Sequence, residues 1–151
     1  MKQSLVIIAL LISASFAHGQ SVGLGIGSGG LVIKSNPNND WRFAGRFDLQ
    51  LTSGFGLVQP SLMVARQVVN EEKAKFYVGG EIGARIITEF ESNQMFFRIP
   101  LGVEYFPFEN VPISATVEGG PYFLFGEDNT IFLLSSLLEV TYYFGCISKC
   151  R

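Results

Sequence analysis

From residue 22 to residue 144 the chain alternates apolar and polar positions with a period of two. In FFRIPLGVEYFPFEN, Phe97, Ile99, Leu101, Val103 and Tyr105 share one side of an extended backbone. Arg98, Pro100, Gly102 and Glu104 share the other. Successive side chains of a strand point to opposite faces, so this pattern predicts β structure. Seven such segments stand out: Val22–Lys34, Trp41–Thr52, Phe55–Arg66, Lys75–Ile87, Gln94–Phe106, Pro112–Phe125 and Thr130–Phe144. Turn formers separate them in SNPNND, SG, QVVNEEKA, TEFESN, PFENV and GEDN. No long helical period appears after residue 20.

These segments are longer than the five or six residues usual in soluble domains. A strand that crosses a bilayer at a tilt needs about 9–11 residues. Length therefore favours a transmembrane barrel. Alternation alone leaves open which face meets water, because an oily-centred soluble barrel and a membrane barrel share one binary pattern. The polar faces decide. In Trp41–Thr52 they are Arg42, Ala44, Arg46, Asp48, Gln50 and Thr52; farther on, Glu81, Gly83 and Arg85, then Glu104, then Ser114, Thr116, Glu118 and Gly120. Single charges mixed with glycine do not suit a strand open to water, where glycine only weakens it. They suit a cramped lumen, where large and small residues must interleave.

The cations agree. Arg42, Arg46, Arg85 and Arg98 fall on polar faces, whereas Lys34, Lys73, Lys75 and Lys149 fall in loops or at strand ends. Arginine keeps its charge and presents a planar fork to carboxylates. An enclosed, structural charge network is expected from Arg42, Arg46, Asp48, Glu81, Arg85, Arg98, Glu104, Glu118 and Glu139. Aromatics at strand ends on the apolar side, Phe76, Tyr105, Phe123, Phe125, Tyr142 and Phe144, fit an interfacial girdle.

Composition sets the compartment. MKQSLVIIALLISASFAHGQ has an early lysine, an apolar run and small residues before Gln20, the layout of a secretory signal peptide cleaved near Gly19. Its apolar run is too short to span a bilayer. Residues 20–151 then form one domain. A secreted location permits a disulfide between Cys146 and Cys150, and C-x3-C without histidine is a poor zinc site. The formal net charge of −2 argues against nucleic acid as a partner.

The segments FYVGGEIGARI, IPLGVEYFPFEN, ISATVEGGPYF and EVTYYFG resemble small outer-membrane β-barrel proteins of Gram-negative bacteria, the broad OmpA/OmpX-like class, most of all the Bacteroidetes type. The resemblance implies an all-β, antiparallel up-and-down transmembrane barrel of eight strands in the outer membrane. It brings no catalytic residues. Bacterial single-chain barrels have an even strand number, so one strand is hidden among the seven segments. Thr130–Phe144, interrupted at Ser135–Ser136, is the first place expected to hold it; a bend at Gly27–Gly30 is the other. Pro60, Pro100 and Pro121 each remove a ladder donor, and bulges are expected there.

No catalytic constellation emerges. The one histidine, His18, lies in the leader. GLGIGSGGL looks like a dinucleotide loop, but no helix follows it. The expected protein is a non-enzymatic, cofactor-free, metal-free monomer whose partner is outer-membrane lipid, with a structural, adhesive or surface-interaction role. The alternative is a soluble secreted barrel of the lipocalin type with an apolar ligand inside, which requires Phe97, Leu101 and Val103 to point inward and Arg98 and Glu104 outward. A narrow pore is a third option that eight strands normally exclude.

Overall fold

The computed structural model describes residues 21–28, 30–52, 55–87, 92–108, 110–126 and 129–145. The expected leader, Cys146 and Cys150 lie outside them. The described chain contains β1 (Val22–Gly27), β2 (Gly30–Lys34), β3 (Trp41–Thr52), β4 (Phe55–Asn70), β5 (Ala74–Ile87), β6 (Ser92–Arg98), β7 (Leu101–Tyr105), β8 (Ile113–Phe125) and β9 (Thr130–Phe144).

Every neighbouring pair is antiparallel, and β1 pairs with β9, so the sheet closes. β6 and β7 pair with the same two neighbours, β5 and β8, one above the other. Nine segments thus make a ring of eight strand positions, an all-β, up-and-down barrel. Where β1 and β2 join β9 to β3, closure leaves no free edge, which is how such sheets avoid the liability of unpaired backbone.

The hidden strand is in Val22–Lys34, not in Thr130–Phe144. β9 runs unbroken through Ser135 and Ser136, in register with β8 from Thr130 to Tyr142. The glycine-rich segment instead folds back as a tight hairpin, with Gly27 opposite Gly30. Gly30 has φ +127°, a conformation that side chains rarely adopt.

The prolines are absorbed without the expected bulges. Ile99–Pro100 interrupts the segment read as Gln94–Phe106 and divides β6 from β7. Pro100 still accepts a hydrogen bond from the Gly79 amide (3.0 Å), and Pro121 accepts one from the Ile99 amide (3.0 Å). Pro121 keeps its pairing with Leu134, and Pro60 its pairing with Phe47. On the side of β5 the ladder skips from Val58–Ile86 to Ser61–Gly83 without changing register, so the missing donor of Pro60 falls in a gap. A shift of register does occur, at Gln67/Val69, near the end of β4.

The two faces differ completely. Leu134 (79%), Leu62 (68%) and Ile26 (64%) stand at full exposure on the outside, whereas Glu104, Glu118 and Arg46 are buried within. Leu101 is exposed and Glu104 fully buried, the reverse of an oily-centred barrel. Trp41, Phe76, Tyr105 and Tyr142 all project outward at the end where the described residues begin, at Ser21, and finish, at Gly145, called the terminus-bearing end below. Phe97, Phe123 and Phe132 stack from strand to strand across β6, β8 and β9 on the same outer face, with centroids 6.4 and 5.4 Å apart.

Around Tyr77 and Tyr143 the lumen is filled to contact. A Cβ on Gly23 would lie 2.6 Å from the Tyr143 ring. A Cβ on Gly102 would run into the ring of Tyr77, itself buried. Gly102→Ala is expected to cost about 1–3 kcal/mol through overpacking. Pairing it with Tyr77→Leu should regain part of that loss, read as the urea midpoint of the folded protein. Two singles and a double that are simply additive would dispose of this contact.

Candidate functional site

The even positions of β3, the odd ones of β5 and β9, and the even ones of β6 to β8 all face the lumen. These faces deliver Arg42, Arg46, Glu81, Arg98, Glu104, Glu118 and Glu139 to one enclosed column. A slip of one residue would turn each charge outward, so the alternation fixes the register as well as the faces.

Halfway along the barrel, Arg46 bonds Glu81 (3.0 Å) and Glu118, and approaches Glu139 (3.5 Å). Arg98 bonds Glu81 through Nε (2.7 Å) and Glu118 through Nη2 (2.5 Å). The Ser61 hydroxyl donates to Glu81 (2.6 Å), and the Tyr77 hydroxyl donates to Glu118. Two arginines thus share two glutamates, with neutral donors filling the remaining lone pairs.

A second layer lies nearer the terminus-bearing end. Lys34 pairs with Glu139, lies 3.7 Å from Glu104 and donates to Thr116 (3.0 Å). Arg42 pairs with Glu104 and sits 4.5 Å from the centre of the Tyr77 ring. Ser114 (2.5 Å) and Tyr143 (2.7 Å) donate to Glu104. Across the two layers, the cations Lys34, Arg42, Arg46 and Arg98 meet the anions Glu81, Glu104, Glu118 and Glu139. The charges balance, as they must where an unpaired buried ion costs several kcal/mol.

Of the residues expected in the network, Arg42, Arg46, Glu81, Arg98, Glu104, Glu118 and Glu139 come together. Asp48 and Arg85 stand apart, half-buried toward the other end. Asp48 lines a polar cavity of about 200 Å³ there, floored by Arg46, Glu81 and Arg98. The Nε of Arg85 is buried without a hydrogen-bond partner.

Lys34 is the member that strand-end reasoning missed. Its ammonium lies inside the wall, because Val32 and Lys34 share the lumen-facing parity of β2. That parity was the signal. Lys75 was also placed at a strand end, and it too is fully buried. It donates to the Pro37 carbonyl (3.3 Å) and to Asn38, and its Nζ lies 5.4 Å from the Phe106 ring. Pro37 and Phe106, from the connections after β2 and β7, thereby lie buried with Tyr143 in the mouth at the terminus-bearing end.

The arrangement binds charge to charge. Every carboxylate of the two layers is held by a cation, which leaves none of them poised as a general base. Among the described residues no group of three or more His, Cys, Asp or Glu side chains is placed to hold a metal ion. Comparison with protein families, with curated proteins and with solved structures finds no match to this chain.

Proposed function

We propose that the chain is an integral outer-membrane β-barrel with a side-chain-filled lumen, serving as a structural element of the membrane surface rather than as a catalyst. One observation carries this reading: an apolar outer face surrounds a core of buried arginines and glutamates paired with one another. In water that face would be an exposed hydrophobic patch far beyond the few hundred Å² that soluble monomers tolerate. In hydrocarbon it is the favourable surface, and the ion pairs are sheltered from both phases. Trp41, Tyr105 and Tyr142 on the outer face suit the interface at the terminus-bearing end.

The connections favour scaffold over adhesin. Away from the termini they span only 28–29, 53–54, 88–91 and 126–129, and the longer ones, 35–40 and 106–112, lie at the terminus-bearing end. Connections this short offer little surface for a partner.

The test is fractionation with the outer membrane together with a heat-modifiable shift in gel migration. Recovery of folded protein from the soluble periplasm without detergent would refute the reading. The plugged mouth adds an expectation. Purified protein in a planar bilayer should give no unitary conductance, and a steady ion current would show that Pro37 and Phe106 do not close the lumen.

A further inference from the structure

The wall of the barrel has a notch. β1 pairs with β9 only between Glu139 and Phe144, and the hairpin is last tied to β9 by the Ser28 amide and the Leu138 carbonyl (2.8 Å). β2 pairs with β3 only between Ala44 and Phe47. Beyond these points β9 continues to Thr130 beside β8, and β3 continues to Thr52 beside β4. Among the described residues, the edges at 130–137 and 48–52 therefore face each other with no strand between them. At roughly 3.3 Å per residue and a tilt near 40°, the gap is on the order of 15 Å deep. It is about as wide, because two strands at ~4.8 Å spacing are missing.

The gap lies within the apolar band. Leu134 and Phe132 on one flank and Leu49 on the other project outward beside it. Open sheet edges at that depth cost several kcal/mol per unmet backbone group unless they line a polar space. Such a space is present. The polar cavity floored by Arg46 and Arg98 is rimmed by Asp48 and Gln50 from β3 and by Ser135 and Ser136 from β9. Ile131 and Leu133 also face inward by the alternation of β9, yet stand 47% and 48% exposed on the strand that borders the notch.

On the outside, an apolar groove of about 860 Å³ starts below the notch at Leu24 and Leu31 and runs round the wall past Phe47 and Leu62 to Ile82 and Met95. Arg46 lines both this groove and the polar cavity. Gly27 and Gly30 flank the sill between them, and the Ser28 hydroxyl, which lines the cavity, accepts a hydrogen bond from the Leu138 amide (3.2 Å).

We propose that the notch is a side portal for a single-chain amphiphile of the surrounding lipid. Its polar head, a phosphocholine in the test below, occupies the polar cavity, and its acyl chain passes between Gly27 and Gly30 into the outer groove. This rests on the membrane reading above. A second copy of the chain is a poorer fit. Its far-end hairpins are built into its own wall, and edge-to-edge pairing through β9 would leave the edge of β3 open.

The experiment uses full-length protein folded into phosphatidylcholine vesicles, with Trp41, the chain's one tryptophan, replaced by phenylalanine. New reporters are Leu134→Trp, on the outer face, and Leu133→Trp, on the inner face of the notch. The probe is a lysophosphocholine brominated along its chain. Quenching of both reporters is expected, at Leu133→Trp saturable and lost in the Asp48→Leu/Gln50→Leu background while Leu134→Trp stays quenched. Quenching at Leu134→Trp alone overturns the portal and leaves the membrane reading intact. Quenching at neither overturns both. Quenching at Leu133→Trp that ignores the Asp48 and Gln50 changes overturns the headgroup assignment. A cross-linked dimer with Leu133→Trp unquenched gives the notch to a second copy instead.

Discussion

Glu118→Leu should destabilise the barrel by about 3–5 kcal/mol, the usual cost of removing one partner from a buried ionic cluster. Glu118 holds Arg46, Arg98 and the Tyr77 hydroxyl at once. Without it the lumen carries an excess positive charge, and the hydroxyl loses its acceptor. Most of the loss is the desolvation of arginines that remain buried, not the worth of the bonds themselves. Hence the double variant Glu118→Leu/Arg98→Met, which removes one charge of each sign, should recover much of the loss. Glu81 still keeps Arg46 and Ser61 in that variant. The measurement is the urea midpoint of protein in lipid vesicles, followed by the heat-modifiable gel shift. A single variant as stable as the parent would mean that these charges are hydrated.

Leu62→Arg is the second large effect, and it probes the other face. Leu62 lies near the middle of β4, 68% exposed, between the aromatic end and the far hairpins. An arginine on the lipid face near the bilayer midplane costs about 2–4 kcal/mol, falling to about 0–1 near the interface. Val69→Arg places the same side chain outside the barrel at the terminus-bearing end of β4, beyond the level of Trp41. It should be close to neutral. The contrast, not either value alone, reports the membrane, because in water both substitutions put a charge on an exposed surface and should cost nearly nothing. Equal midpoints for the two variants in vesicles would contradict a hydrocarbon environment.

Much of this molecule was legible residue by residue. A period of two is local: it needs only that Arg42, Ala44 and Arg46 follow one another in an extended chain. It puts Glu104 and Arg98 on one side of the chain; the single charges and glycines of that side, not the period, turn it inward and enclose the network of arginines and glutamates, and the antiparallel order comes from the family resemblance. Lys34 escaped because the end of a strand gives no sign, in sequence, of whether the wall continues past it.

What the chain alone determined is the two-faced ribbon and the chemistry of each face. Closure belongs to the tertiary structure, since it depends on registers between strands far apart in sequence. That Glu139 of β9 meets Gly27 of β1 decides which carboxylate reaches Lys34 and Arg46, and no local pattern encodes it. The same long-range registers set how far each hairpin rises. Only they turn the glycine-rich start of the chain into a low sill, and leave a gap in the wall where its neighbours continue.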